Sequence, residues 1–144
     1  MLAICILGAS ATRAQTITKA GGLSFGSFVA GTGGAIAVTT SGGRSKTGGL
    51  ILVPQGGSST AAQFTVSGTA TATYAISLPA DGTVALFDGN SHSMAVNGFV
   101  SYPGATGTLS GGTQMLSVGG TLTVGSSQPP GSYSGAFPVT VNYN

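Results

Sequence analysis

Residues 131–144, GSYSGAFPVTVNYN, carry the clearest structural signal in the chain. Phe137, Val139, Val141 and Tyr143 recur at every second position, so an extended backbone sends all four side chains to one face. Val, Thr, Phe and Tyr are also the residue types that a half-buried pleated surface favours. Pro138 interrupts the run. It has no N–H, which removes one ladder bond and confines the segment to an edge or a bulge. Alternation of this kind fits an ordinary closing strand of a sandwich as well as an edge meant for pairing.

The same period recurs upstream, and helical periodicity is nowhere sustained. Strands are expected at 23–30, 35–40, 50–53, 62–67, 73–78, 83–87, 93–100, 113–124 and 136–143. Their inward residues include Ile36 and Val38, Phe64 and Val66, Tyr74 and Ile76, Leu116 and Val118, and Leu122 and Val124. Parity is kept through Gly119-Gly120, so 113–124 is either one long strand or two joined by a bend. Pro79-Ala80-Asp81-Gly82 predicts a tight hairpin, because Asp-Gly accepts the positive φ that such turns demand. Asp88-Gly89-Asn90 is a second turn, and Gln128-Pro129-Pro130-Gly131 leads into the last strand. Residues 31–49 carry three Gly-Gly pairs with Arg44 and Lys46, and read as a mobile surface loop or edge. Many short strands separated by turn signals predict an all-β, immunoglobulin-like antiparallel sandwich of about seven to nine strands.

A chain of 144 residues is long enough for one domain with a core, expected over 15–144. Disorder needs low hydrophobicity with high net charge, whereas here Lys and Arg number four and Asp and Glu two. Residues 1–14 read as a secretory signal, with a buried N-terminal strand or helix as the alternative: an apolar run from Leu2 to Leu7, then small residues before a cleavage point ahead of Gln15. No Lys or Arg follows Met1, so the natural signal is expected to begin further upstream. Cleavage would remove Cys5, the single cysteine, leaving a secreted domain held by packing alone. The apolar run is too short to span a bilayer, and no membrane insertion of the remaining chain is expected. Lys19, Arg44 and Lys46 stand against Asp81 and Asp88, so neither a nucleic-acid stripe nor a polybasic membrane patch exists.

Catalytic groups are scarce. His92, Asp88 and a serine can be written as a triad, but His92 and Asp88 share one short turn and no nucleophile elbow accompanies them. Two isolated carboxylates and one histidine do not make a calcium cage or a zinc shell. No enzyme activity, cofactor or metal is therefore expected. Phe25, Phe28, Phe99, Tyr102 and Tyr133 offer rings for stacking on sugar; most belong in a core, and Tyr102, beside Pro103-Gly104, is expected to be exposed.

A run of motifs resembles a family of secreted bacterial proteins that carries a domain-of-unknown-function label. It opens with Ile17-Thr18-Lys19 and Leu23-Ser24-Phe25-Gly26, and continues with Gly42-Gly43-Arg44-Ser45. Ala62-Gln63-Phe64-Thr65-Val66-Ser67-Gly68, Tyr74-Ala75-Ile76-Ser77-Leu78-Pro79 and Gly111-Gly112-Thr113-Gln114 follow. Gly131-Ser132-Tyr133-Ser134-Gly135 and Val139-Thr140-Val141-Asn142-Tyr143 close it. The family is similar to spore-coat-U and archaic chaperone–usher pilin subunits, which implies a pilin-like sandwich. In pilus subunits a glycine and a penultimate tyrosine bracket an alternating terminal strand against which a partner's strand is laid. Here Gly131, Phe137, Val139, Val141 and Tyr143 take those places.

The resemblance implies a non-enzymatic structural or adhesive subunit of a bacterial surface fibre or matrix, assembled by β-strand addition. Its implied partners are copies of itself or other pilin-like subunits, with a periplasmic chaperone and usher in transit to the cell surface. Pilus subunits also carry an N-terminal donor extension. Residues 15–22 (QTITKAGG) offer only Ile17 as an apolar anchor, and at about 3.3 Å per residue they match about half a strand. Three arrangements follow: a donor upstream of Met1, a terminal subunit, or a chain that completes its own fold. The alternative function is a self-contained secreted sandwich that binds glycan or protein through loops such as 31–49.

Overall fold

A computed structural model describes residues 4–7, 10–11, 16–53, 59–104, 106–131, 133–137 and 139–143. Pro138 and the expected cleavage point before Gln15 lie outside the described residues. Along the chain run β1 (Ile4–Leu7), β2 (Ser10–Ala11), β3 (Thr16–Gly21), β4 (Ser27–Val29) and β5 (Gly34–Val38). Then come β6 (Arg44–Gly48), β7 (Ile51–Val53), β8 (Ala62–Ser67), β9 (Thr73–Ser77) and β10 (Val84–Phe87). β11 (Ser93–Tyr102), β12 (Thr106–Thr108), β13 (Thr113–Val124), β14 (Tyr133–Ala136) and β15 (Thr140–Tyr143) complete the set. A single 3₁₀ turn at Ser110–Gly112 is the one helical element among the described residues. The fold is all-β, with more and shorter strands than the seven to nine expected.

The long strand β13 organises the molecule. On one side it pairs with β11 between Ser117 and Leu122; on the other its first half pairs with β8 and its second half with β5. The large sheet thus runs β1-β14-β10-β11-β13-β5-β6, with β8 and β3 joined at the fork. A second sheet has the order β12-β9-β15-β2, and β4 pairs with β7 as a small third sheet. Gly119 stands where the partner of β13 changes. A Cβ there would overlap the Val38 carbonyl oxygen and lie 2.9 Å from the Thr39 carbonyl carbon, so glycine lets the two strands close up.

Alternation places the core as read from the sequence. Ala62, Phe64 and Val66 of β8 are buried, as are Leu116, Val118, Leu122 and Val124 of β13, and Tyr74 of β9 meets them from the other sheet. Phe137 lies against Phe64, edge to face at 6.5 Å, and against Phe99 at 4.9 Å.

Three expectations are sharpened or corrected. Of loop or edge, residues 31–49 take the edge: they hold the β5–β6 hairpin, with β6 last in the large sheet, in register from Gly34↔Gly48 to Val38↔Arg44. Arg44 works as a clamp there, its guanidinium donating to the carbonyls of Phe25 (2.8 Å), Ser27 (3.0 Å) and Val53 (2.9 Å). That ties the small β4–β7 sheet to the large one without a carboxylate. The Asp81-Gly82 turn is not a hairpin but a crossing between sheets, since β9 and β10 belong to different ones. Asp81 accepts the Gly98 N–H at 2.9 Å and Asn97 accepts the Gly82 N–H at 2.8 Å, latching the crossing to the register shift in β11. Third, the terminal strand is not continuous over 136–143: β14 lies in the large sheet and β15 in the second.

Candidate functional site

The terminal strand supplies the candidate site, and its side chains face inward. Tyr133, Phe137, Val139 and Val141 are all buried, while Ser134, Ala136 and Asn142 are exposed. The expected alternation therefore serves the domain's own core. What the segment offers outward is its main chain. β14 meets β10 through the single pair Phe87↔Ser134, whereas β15 pairs fully with β9, from Thr140↔Ser77 to Tyr143↔Tyr74. Gly131 precedes β14, with ordinary room around it.

Residues near the N-terminus cover the opposite edge of both halves. Ile4–Leu7 runs parallel to β14, from Ile4↔Tyr133 to Leu7↔Ala136. Ser10–Ala11 runs parallel to β15, with Ser10↔Thr140 and Ala11↔Val141. Between Leu7 and Ser10 lie two residues, while three lie between Ala136 and Thr140. One segment thus follows the terminal strand across both sheets with an offset of a single residue. An apolar run such as LAICIL reads as a signal core before it reads as a buried strand, and no local pattern names the terminal strand as its neighbour.

Ile17 lies elsewhere. It sits in β3 opposite Val66 of β8, partly buried against the core, and so contributes to this chain's own sheet. Tyr102 is 73% exposed, as expected, and Phe25, Phe28 and Tyr133 are buried. A shallow apolar groove of about 420 Å³ opens where β14 leaves β10, lined by Val84, Ala85, Phe87, Ala95, Gly135 and Ala136. A more polar cleft of about 360 Å³ lies between Gly22, Thr40, Gly42, Ser59, Thr60 and Gln63.

A polar corner fixes the entry to β14. The Tyr133 hydroxyl donates to the Pro129 carbonyl at 2.8 Å and accepts from Gln128 Nε2 at 3.1 Å. Nearby, Asp88 Oδ1 accepts the N–H groups of Asn90 (2.7 Å) and His92 (3.2 Å), and Oδ2 lies 2.6 Å from His92 Nδ1. Thus Asp88 and His92 do meet, closing the β10–β11 turn; among the described residues no hydrogen bond links His92 to a serine hydroxyl. Burial pushes the Asp88 carboxyl up, but the Asn90 N–H, the His92 ring and the His92 N–H outweigh it and hold it below its usual range.

A group depressed in the folded state stabilises above its ordinary value of 3.8 and loses that contribution as pH falls through its folded value. The difference in urea midpoint between the natural chain and Asp88→Asn should therefore be fully present above the ordinary value of 3.8 and shrink as the pH falls below it. An unchanging difference would show that the charge of Asp88 contributes nothing.

With this geometry in view, the chain belongs to the family described as Domain of unknown function (DUF4402), whose model matches residues 16–143. No curated protein matches the chain.

Proposed function

We propose that this protein is a secreted, non-enzymatic structural or adhesive subunit of a bacterial surface fibre or extracellular matrix. Neighbouring subunits join by strand addition along the outer edge of β14 and β15. One observation carries the reading: among the described residues that edge is paired by Ile4–Leu7 and Ser10–Ala11, which belong to the segment that reads as a secretory signal and lie outside the family match. Loss of those residues bares main-chain donors and acceptors along a rim shared by two sheets. A bare rim of this kind is costly to leave in water-poor surroundings and is readily satisfied by another chain. Because the side chains of Phe137, Val139 and Val141 point into the core, affinity comes from the ladder rather than from these residues. A charge-poor surface adds little repulsion between stacked copies.

Secreted material run on a gel without boiling should give a ladder of oligomers that collapses to one band on boiling. Migration as a monomer under both conditions would defeat the proposal. The polar cleft between Gly22, Thr40 and Thr60 favours a second reading, a monomeric module that binds a neutral, hydroxyl-rich ligand such as a glycan. Monomer migration together with saturable glycan binding would favour it.

A further inference from the structure

We infer that residues 4–11 are an intramolecular placeholder: while attached, they keep the terminal strand closed to strands from other chains. The inference rests on the strand-addition reading above and adds a device that controls it. Three observations support it. The segment pairs with four consecutive residues of β14 and two of β15, so it engages both halves of the site at once. Its two-residue step against the three residues between Ala136 and Thr140 matches the irregularity in the terminal strand. A strand lacking that step keeps its backbone register against one half only, because the offset changes by one residue between Leu7↔Ala136 and Ser10↔Thr140. Finally, the segment precedes the family match at residue 16, so the matched domain does not contain it.

The sequence supplies its own probe. Cys5, the single cysteine, stands directly opposite Ser134, which is exposed. Residues paired in this register on adjacent parallel strands have their Cα atoms at a separation that a disulfide tolerates. In the full chain carrying Ser134→Cys, oxidation with diamide should join Cys5 to residue 134 within one molecule, as shown by mass spectrometry of the linked fragments. Thr123→Cys, exposed on β13, should not link to Cys5. A folded Ser134→Cys chain with both thiols left free, or equal linking by Thr123→Cys, would overturn the placement.

Function is read with a labelled peptide of residues 2–11, with serine in place of its cysteine. The reduced Ser134→Cys chain should capture it at least about ten-fold more than the oxidised, locked chain, as expected for access to a few ladder bonds. One extra glycine between peptide positions 7 and 10 should lower capture by about ten-fold through loss of the β15 half. Equal and measurable capture by locked and reduced chains would overturn the placeholder role, whereas capture by neither would show that the attached segment holds the strand closed even without the link. If the link and the gating both hold but secreted material never forms a ladder, the fibre reading fails and the placeholder stands.

Discussion

Phe137→Ala is expected to remove about 3–5 kcal/mol of folding stability, the usual cost of deleting a fully buried aromatic ring. The side chain is 1% exposed and lies between Phe64 and Phe99. It also sits between β14 and β15, at the joint where the chain passes from one sheet to the other. Neither neighbour can fill the gap, because Phe64 is anchored in β8 and Phe99 in β11. Against a total of about 5–15 kcal/mol for a domain, such a loss is large. Urea denaturation should show a lower midpoint with an unchanged slope. A loss below about 1 kcal/mol would mean that the ring does not hold the two sheets together.

Gly119→Ala is the second large effect, expected at about 3 kcal/mol through overpacking. The added methyl meets main-chain atoms of Val38 and Thr39, which cannot rotate aside as a side chain would. Either β13 and β5 separate or the register at Gly120↔Val38 is lost. Gly21→Ala is the control, because nothing lies within 4 Å of a Cβ there; it should be neutral or slightly stabilising. Equal midpoints for the two variants in the same assay would remove the close-approach argument.

What could be read from the sequence follows from how much of each strand is buried. β8, β9, β10 and β13 each place alternate residues in the core, and their ranges emerge from that period. β6, RSKTG, has no fully buried residue and gives no apolar period, so its glycines and charges read as a loop although it pairs fully with β5. β12 and β3 are similarly quiet, with Ile17 alone marking the latter. The Asp81-Gly82 turn shows a different limit. Gly82 has φ +84, which local chemistry anticipates, yet the same backbone serves a hairpin or a passage between sheets. Only long-range pairing distinguishes the two. At the candidate site, the period of Phe137, Val139 and Val141 was legible, whereas the covering of their edge by residues 4–11 was not, because no local pattern encodes a partner more than a hundred residues away.

That distance has a kinetic consequence. Val141 aligns with Ile76 in the second sheet and Ile4 with Tyr133 in the large one, so the terminal strand is stitched into each sheet by segments far apart in the sequence. Loop closure must be met before such contacts reward it, which places folding on the order of milliseconds to seconds. Until that closure, apolar rows such as those of β8 and β13 lack the cover that the buried residues of the terminal strand give them. The molecule is then most prone to clump with its own kind, so a nascent copy is best kept dilute or escorted until the stitch is made.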